Sequence, residues 1–157
     1  MTKDEIKEIS KDILDVQIVE SENNIANELF LIEVKDIGKV CACLKDVTSG
    51  GREQYVPNEL RIQIHPSCNN YICDKVQLNE TGVILGIYKI NNECIFCAFK
   101  PEYSHSSTTV SKQIKQVTIT DALNFGFAQQ VKGRVYACAF NIPFLKFYLL
   151  NYSWIHD

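Results

Sequence analysis

The sequence predicts a mainly β, α+β domain, about seven short strands in a barrel-like sheet with short helices capping the ends. Two observations lead there. Compact apolar segments, ELFLIEV, GKVCACL, LRIQIH, VILGIYKI, ECIFCAFK and VYACAF, recur along the chain and are punctuated by turn-forming residues. Apolar residues at helical spacing are confined to short stretches between them. At 157 residues the chain fits one domain, 1–157, able to bury a core without disulfide staples.

The elements follow in order. Thr2 to Glu5 has capping-box spacing, and Ile6, Ile9, Ile13 and Leu14 recur at helical intervals, so an amphipathic helix is expected to about Leu14. ESENNIANE reads as a polar loop. ELFLIEV and GKVCACL are strands joined through Lys35-Asp36-Ile37-Gly38; alternation sets Phe30, Ile32 and Val34 on one face and Leu31, Glu33 and Lys35 on the other. LRIQIH turns Ile62 and Ile64 the same way. Pro66-Ser67 opens a helix to about Leu78, with Ser67 or Asn69 as cap. Asn79 to Gly82 is a turn into VILGIYKI, and Asn91-Asn92 is a tight hairpin turn into ECIFCAFK. Thr120-Asp121 is read as the cap of a short helix ALNFGF, and VYACAF as the last strand. Asn141-Ile142-Pro143 starts a terminal helix whose Leu145, Leu149 and Tyr152 share a face.

Composition narrows the classes. With 46% hydrophobic and 22% charged residues the chain is globular rather than disordered. No apolar run is long enough to span a bilayer, and MTKDEIKEIS lacks the apolar core of a secretion signal, so a cytoplasmic protein without a membrane partner is expected. Seven cysteines are then read as reduced, buried thiols. Cys94 and Cys97 lie three apart on one strand and point to opposite faces, which suits neither a shared metal nor a disulfide. No metal and no cofactor is implied. The net charge of −3 hides an asymmetry: residues 1–33 carry nine acids and three lysines, leaving thirteen bases against ten acids in 34–157. The larger part of the chain can therefore present a basic face.

Two polar loops exceed the needs of plain connections: Lys45–Glu59 and Pro101–Gln116. In the first, Thr48, Ser49, Gly50 and Gly51 allow close backbone approach, while Arg52, Gln54 and Tyr55 offer a guanidinium, an amide and a phenol. Arg suits guanine and Gln suits adenine in a major groove; hydroxyls and backbone amides suit phosphates. Around the second loop, Lys100, Tyr103, Ser104, His105, Ser106, Ser107, Thr108, Lys112 and Lys115 form a similar inventory, with Glu102 as counter-charge. Exposed polar loops also have this composition when they do nothing.

The run Lys45-Asp46-Val47-Thr48-Ser49-Gly50-Gly51-Arg52-Glu53-Gln54-Tyr55-Val56-Pro57 resembles a loop of the DNA-binding pseudobarrel found in EcoRII-type effector domains and plant B-three transcription factors. Asp46, Thr48, Gly50, Gly51 and Gln54 match; Arg52 replaces a histidine, and the first glycine of the family's loop is missing. The chain is also similar to the N-terminal DNA-binding domains of McrB-like, LlaJI-type restriction subunits, with the order of elements carrying the likeness over about residues 29–140. The resemblance implies a non-catalytic domain that directs a restriction complex, with its GTPase and nuclease parts, to double-stranded DNA. Two arms on one side of the sheet would grip the major groove. Arg52 and Gln54 would read bases; Arg61 and the second arm's lysines would hold phosphates. The ending NYSWIHD suggests a chain that continues.

Rival readings stand beside this one. Asp15 followed by Glu33-Val34-Lys35 has the outline of a Mg²⁺-dependent restriction nuclease site, two carboxylates and a lysine. A solvated strand face explains it equally well. A modified-base reader would need an aromatic pocket, for which Tyr55, Tyr103 and Trp154 are candidates, although Trp154 on the terminal helix reads as packing. His65 and Cys68, three residues apart at a strand-to-helix turn, read as structural rather than as a catalytic pair. His156 reads as exposed. The acidic first helix could instead dock on another protein.

Overall fold

The computed structural model describes residues 4, 5, 8, 11, 16–20, 29–49, 54–132 and 135–157. Asp4, Glu5, Glu8 and Lys11 are helical, as expected of the first segment; Ile6, Ile9, Ile13 and Leu14, the apolar face of that helix, lie outside the described residues. The strands are β1 (Val16–Glu20), β2 (Leu29–Val34), β3 (Gly38–Asp46), β4 (Glu59–Ile64), β5 (Gly82–Ile90), β6 (Glu93–Phe99), β7 (Val110–Lys115), β8 (Phe127–Lys132) and β9 (Val135–Asn141). After that first segment, the helices among the described residues are α1 (Pro66–Gln77), α2 (Gln116–Phe125) and α3 (Leu145–Ile155), the last preceded by a 3₁₀ turn at Ile142–Phe144.

Seven strands form one sheet in the order β1-β2-β3-β5-β6-β9-β8, while β4 and β7 pair as a separate antiparallel ribbon. Among the described strands of the large sheet only β3 and β5 run parallel, Cys41 beside Gly82 and Asp46 beside Ile87. Their crossover contains β4 and α1. The sheet is buried on both faces. One face carries Phe30, Ile32, Val40, Leu44, Leu85, Phe96 and Phe140 and is covered by Leu145, Tyr148 and Leu149 of α3. The other carries Cys43, Ile84, Ile95, Cys97 and Ala139 and is covered by Ile62, Ile64 and Ile114 of the ribbon, Ile72 of α1 and Ile119 of α2. Double burial explains why β5 and β6 read as continuous apolar runs rather than clean alternation. It also accounts for the cysteines. All seven are described and none is in a disulfide. Cys97 packs into the ribbon-side core and Cys94 against the other, as three-residue spacing requires. Burial pushes the Cys94 thiol up to about 11 and that of Cys138 to about 12, so both stay protonated at neutral pH.

The turns use residues suited to left-handed backbone. Asp36, Asn79 and Asn91 sit at φ 70°, 58° and 53° in the β2–β3 turn, after α1 and in the β5–β6 hairpin. At the end of α1 the Asn79 N–H reaches Val76 O at 3.1 Å and the Glu80 N–H reaches Lys75 O at 2.9 Å, a Schellman closure.

Several expectations need correction. The sheet does not close into a barrel: among the described residues the ribbon joins it by backbone only where Thr48 bridges Arg61. On the far side the contact is through a side chain. Gln130 of β8 accepts from the Lys115 N–H at 2.7 Å and from Thr118 Oγ1 at 2.8 Å. The cap of α1 is His65, whose Nδ1 accepts from the Ser67 N–H at 3.2 Å, not Ser67 or Asn69. Helix α2 starts at Gln116, with Thr120 already inside it bonding back to Gln116 O at 3.1 Å. Strands β1, β7 and β8 go beyond the sequence expectation: β1 and β8 are the edges of the sheet and β7 belongs to the ribbon. His156 is buried at 2% exposure, whereas Trp154 is 60% exposed. The His156 ring packs against Tyr148, with Nδ1–H donating to Tyr136 O at 2.6 Å and Nε2 accepting from Tyr148 OH at 2.8 Å.

These contacts make two statements about stability testable. A Cβ at Gly86 would lie 2.5 Å from Val47 Cγ2 and 2.9 Å from Ile62 Cγ2, pushing the ribbon off the sheet. Gly86→Ala should cost about 1–3 kcal/mol, read as a lower urea midpoint with an unchanged slope. Burial lowers the His156 pKa below its usual 6.5, outweighing the opposing Tyr136 hydrogen bond. The unfolded chain therefore takes up a proton that the folded chain resists, and this contribution to stability is lost as pH falls below 6.5 through the depressed folded value. A glutamine at this position takes up no proton in either state. In His156→Gln, the stability difference from wild type should therefore shrink between pH 7 and pH 5. The change amounts to about 1.4 kcal/mol for every tenfold difference in proton affinity between unfolded and folded wild type, measured by urea unfolding at the two pH values.

Candidate nucleic-acid interface

Alternation gives the ribbon one buried and one outward row. Leu60, Ile62, Ile64 and Ile114 point into the core. The opposite row is Glu59, Arg61 and Gln63 on β4, facing Lys115, Gln113 and Ser111 on β7. No large apolar side chain interrupts it. Gln63 and Lys115 are exposed and Arg61, Ser111 and Gln113 half-buried. Gln113 Nε2 donates to Ser111 Oγ at 3.3 Å. The Arg61 backbone is fixed by two bonds with Thr48, at 2.9 and 2.7 Å, and its Nε is shielded from solvent with no hydrogen-bond acceptor among the described residues. Sequence reasoning misses Gln63, Ser111 and Gln113. Gln63 is accessible from the Ile62/Ile64 alternation; the other two are hidden because the polar composition of β7 reads as loop.

The first loop is described only at its two feet. Lys45 is half-buried, Thr48 and Ser49 are exposed where the chain leaves β3, and Gln54 and Tyr55 are exposed where it returns, Tyr55 at 85%. Gly50, Gly51 and Arg52 lie outside the described residues.

The second loop is a strap held against α1. Asn70 uses both ends of its amide: Nδ2 donates to Ser106 O at 3.0 Å and Oδ1 accepts from the Ser106 N–H at 2.8 Å. Gln77 Nε2 donates to Tyr103 O at 2.9 Å, and His105 Nε2 lies 2.6 Å from Asp74 Oδ1. Ser106 Oγ closes a small turn by donating to Thr108 O at 2.8 Å. Tyr103, Ser104 and Ser107 remain exposed.

Two lysines expected to contact phosphates are already engaged. Lys112 stands opposite Ile62 on the inner row, with its side chain only 17% exposed, donating to Lys100 O at 3.1 Å and ion-paired with Glu102. Lys100 pairs with Asp157 and lies over the Tyr103 ring at 5.7 Å. Lys115 keeps an exposed side chain on the outward row.

Paired arms are expected on one side of the sheet; the described feet of the two loops enter the ribbon at its two opposite ends. β4 and β7 are antiparallel, Glu59 opposite Lys115 and Ile64 opposite Val110, and each loop feeds the start of its own strand. The loops therefore meet the ribbon at opposite ends, about 17 Å apart at antiparallel rise.

Of the rival sites, Glu33 is exposed and stands opposite Lys39 on β3; Lys35 is exposed too, and Asp15 lies outside the described residues. Cys68 is buried while His65 caps α1, which leaves them structural roles. No helix among the described residues is long and apolar enough to cross a membrane.

Fold and site thus define a mixed-sheet, mainly β domain with a polar ribbon on one side. Its family is given by residues 38–149, from β3 into α3, which match the methylase-associated X1 model. The chain belongs to the methylase-associated X1 family, which is associated with restriction-modification systems. No curated protein and no solved structure matches it.

The strap's attachment is testable. Asn70→Ala removes both bonds to Ser106. It should free the strap locally at a cost of about 1–3 kcal/mol, seen as faster amide exchange at Ser106 with little change in α3.

Proposed function

We propose that this domain binds double-stranded DNA as the non-catalytic target-recognition part of a restriction-modification system. The observation that carries the reading is the outward ribbon row, Arg61, Gln63, Gln113, Ser111 and Lys115, with Glu59 opposite Lys115 at its end and exposed Thr48 beside it. A two-stranded ribbon fits a major groove about 12 Å wide, and ribbon readers form an established docking class. In this reading Arg61, Gln63 and Gln113 face base edges, while Lys115, Ser111 and Thr48 meet phosphates. Membership of a methylase-associated family supports it. So does the likeness of the first loop to a pseudobarrel arm, which adds Arg52 and Gln54 as base-reading candidates at one end of the ribbon. The strap bounds the other end, so the two loops flank a groove-borne ribbon instead of pinching the duplex from one side.

Gel-shift titration of the full chain against random duplexes, with and without cytosine methylation and at two salt concentrations, tests this. Arg61→Ala should cost about 1–3 kcal/mol and relax sequence preference. Lys115→Ala should weaken all duplexes alike and reduce the salt slope by about one. Lys112→Ala, at a side chain already paired with Glu102, should leave the slope unchanged. Failure to shift any duplex at low salt, or wild-type behaviour of both Arg61→Ala and Lys115→Ala, would reject the reading. Cleavage when Mg²⁺ is added would move the assignment to Glu33 and Lys35.

A further inference from the structure

Three side chains of different donor chemistry converge where α1 meets the strap. The Cys73 thiol, the Asp74 carboxylate and the His105 imidazole offer ligand atoms that all lie within 4.8 Å of one another. They come from two segments, His105 lying 31 residues beyond Asp74. Cys73 is fully buried, and Asp74 and His105 face solvent. We propose that this trio binds one divalent ion of the zinc class and clamps the strap to α1.

The donor set selects the ion. A thiolate with an imidazole favours zinc-like cations over magnesium or calcium, which take oxygen ligands. One thiolate and one carboxylate neutralise the ion's charge. Metal–ligand lengths of ~2.0–2.3 Å place tetrahedral donors roughly 3.3–3.8 Å apart. The His105–Asp74 separation of 2.6 Å must therefore widen by about an ångström, which two exposed side chains can do by rotation. A water takes the fourth, solvent-facing position. On binding, the Cys73 S–H bond breaks, sulfur ligates the ion and the proton leaves to solvent.

The surroundings are arranged for this. Gln77 Nε2 lies 3.4 Å from Cys73 Sγ, donating to it, and 2.9 Å from Tyr103 O. One amide thus steadies the sulfur and the strap together, as outer-shell donors do around metal thiolates. The Asn70–Ser106 pair fixes the residue after His105, so the imidazole is held beside α1 before any ion arrives.

The test is a Co²⁺ titration of the reduced full chain, followed by absorption and competed with Zn²⁺. One equivalent should give a thiolate-to-cobalt charge-transfer band with tetrahedral d–d bands, and Zn²⁺ should abolish both. Cys73→Ser should lose the charge-transfer band. Because Cys73 is buried and its variant could misfold, the exposed His105→Ala and Asp74→Asn are the decisive partners, each weakening cobalt binding about tenfold or more. Cys41→Ser and Cys94→Ser, at the two partly exposed cysteines, should bind as wild type. Zn²⁺ should raise the Tm of wild type and not of His105→Ala. Absence of the band, its persistence at full affinity in His105→Ala, or its loss in Cys41→Ser or Cys94→Ser would overturn the proposal. None of these readouts involves DNA.

Discussion

The architecture turns on a change of partner between two adjacent residues. The Val47 N–H donates to Ile87 O at 3.0 Å, extending the parallel β3–β5 ladder, whereas Thr48 exchanges both backbone bonds with Arg61. Within one peptide step the chain passes from the large sheet to the ribbon. The ribbon can then lie flat on the sheet because β5 has glycine at position 86, under Val47 and Ile62. Everything on the ribbon side depends on that seating: the buried row of β4, the outward direction of Arg61 and Gln63, and the position of α1 behind them. With few kcal/mol separating folded from unfolded chains, a single side chain at residue 86 is a substantial disturbance.

How much of this is legible in the sequence varies by layer. The central strands are readable because a doubly buried sheet writes itself as apolar runs between turn residues, and ELFLIEV, VILGIYKI and ECIFCAFK form β2, β5 and β6 close to their expected bounds. The mainly β, α+β class follows from them. The periphery is not readable. SKQIK in β7 and FAQQVK in β8 gain their strand conformation from neighbours that no local pattern reveals. QVTI, with its β-branched residues, enters α2 because Thr118 and Ile119 are buried there, a tertiary decision that overrides propensity. His156 and Trp154 exchange their expected environments for a related reason. The terminal residues fold back onto β9, where the Tyr136 N–H donates to His156 O at 3.0 Å, and that return turns Trp154 outward.

The candidate site shows the same division. Residue types in the two loops identify them as polar and contact-capable, but their arrangement depends on recognising β7. Once β7 is a strand antiparallel to β4, the loops that precede the two strands must lie at opposite ends of the ribbon. A lysine one residue out of phase then becomes a half-buried ion-pair partner: Lys112 beside the exposed Glu102 rather than in the solvent row with Lys115. Register, not composition, decides which basic groups remain exposed on the ribbon.

That dependence ties the strap to the ribbon mechanically. The chain leaves the last strap residues directly into Val110 of β7, whose register with β4 sets the outward row. The strap itself is positioned by polar bonds to α1 at Asn70, Asp74 and Gln77 rather than by apolar burial, so its attachment has little of the hydrophobic driving force that holds the sheet. Polar attachments of this kind contribute about 0.5–1.5 kcal/mol each and open more readily than a packed core. An ion bridging Cys73, Asp74 and His105 would replace a weak polar contact with coordinate bonds at the strap's midpoint. It would thereby restrict the start of β7 without touching the outward row, leaving Arg61, Gln63 and Lys115 to act from a ribbon whose two ends are both fixed, one by the Thr48–Arg61 bridge and the other by the strap.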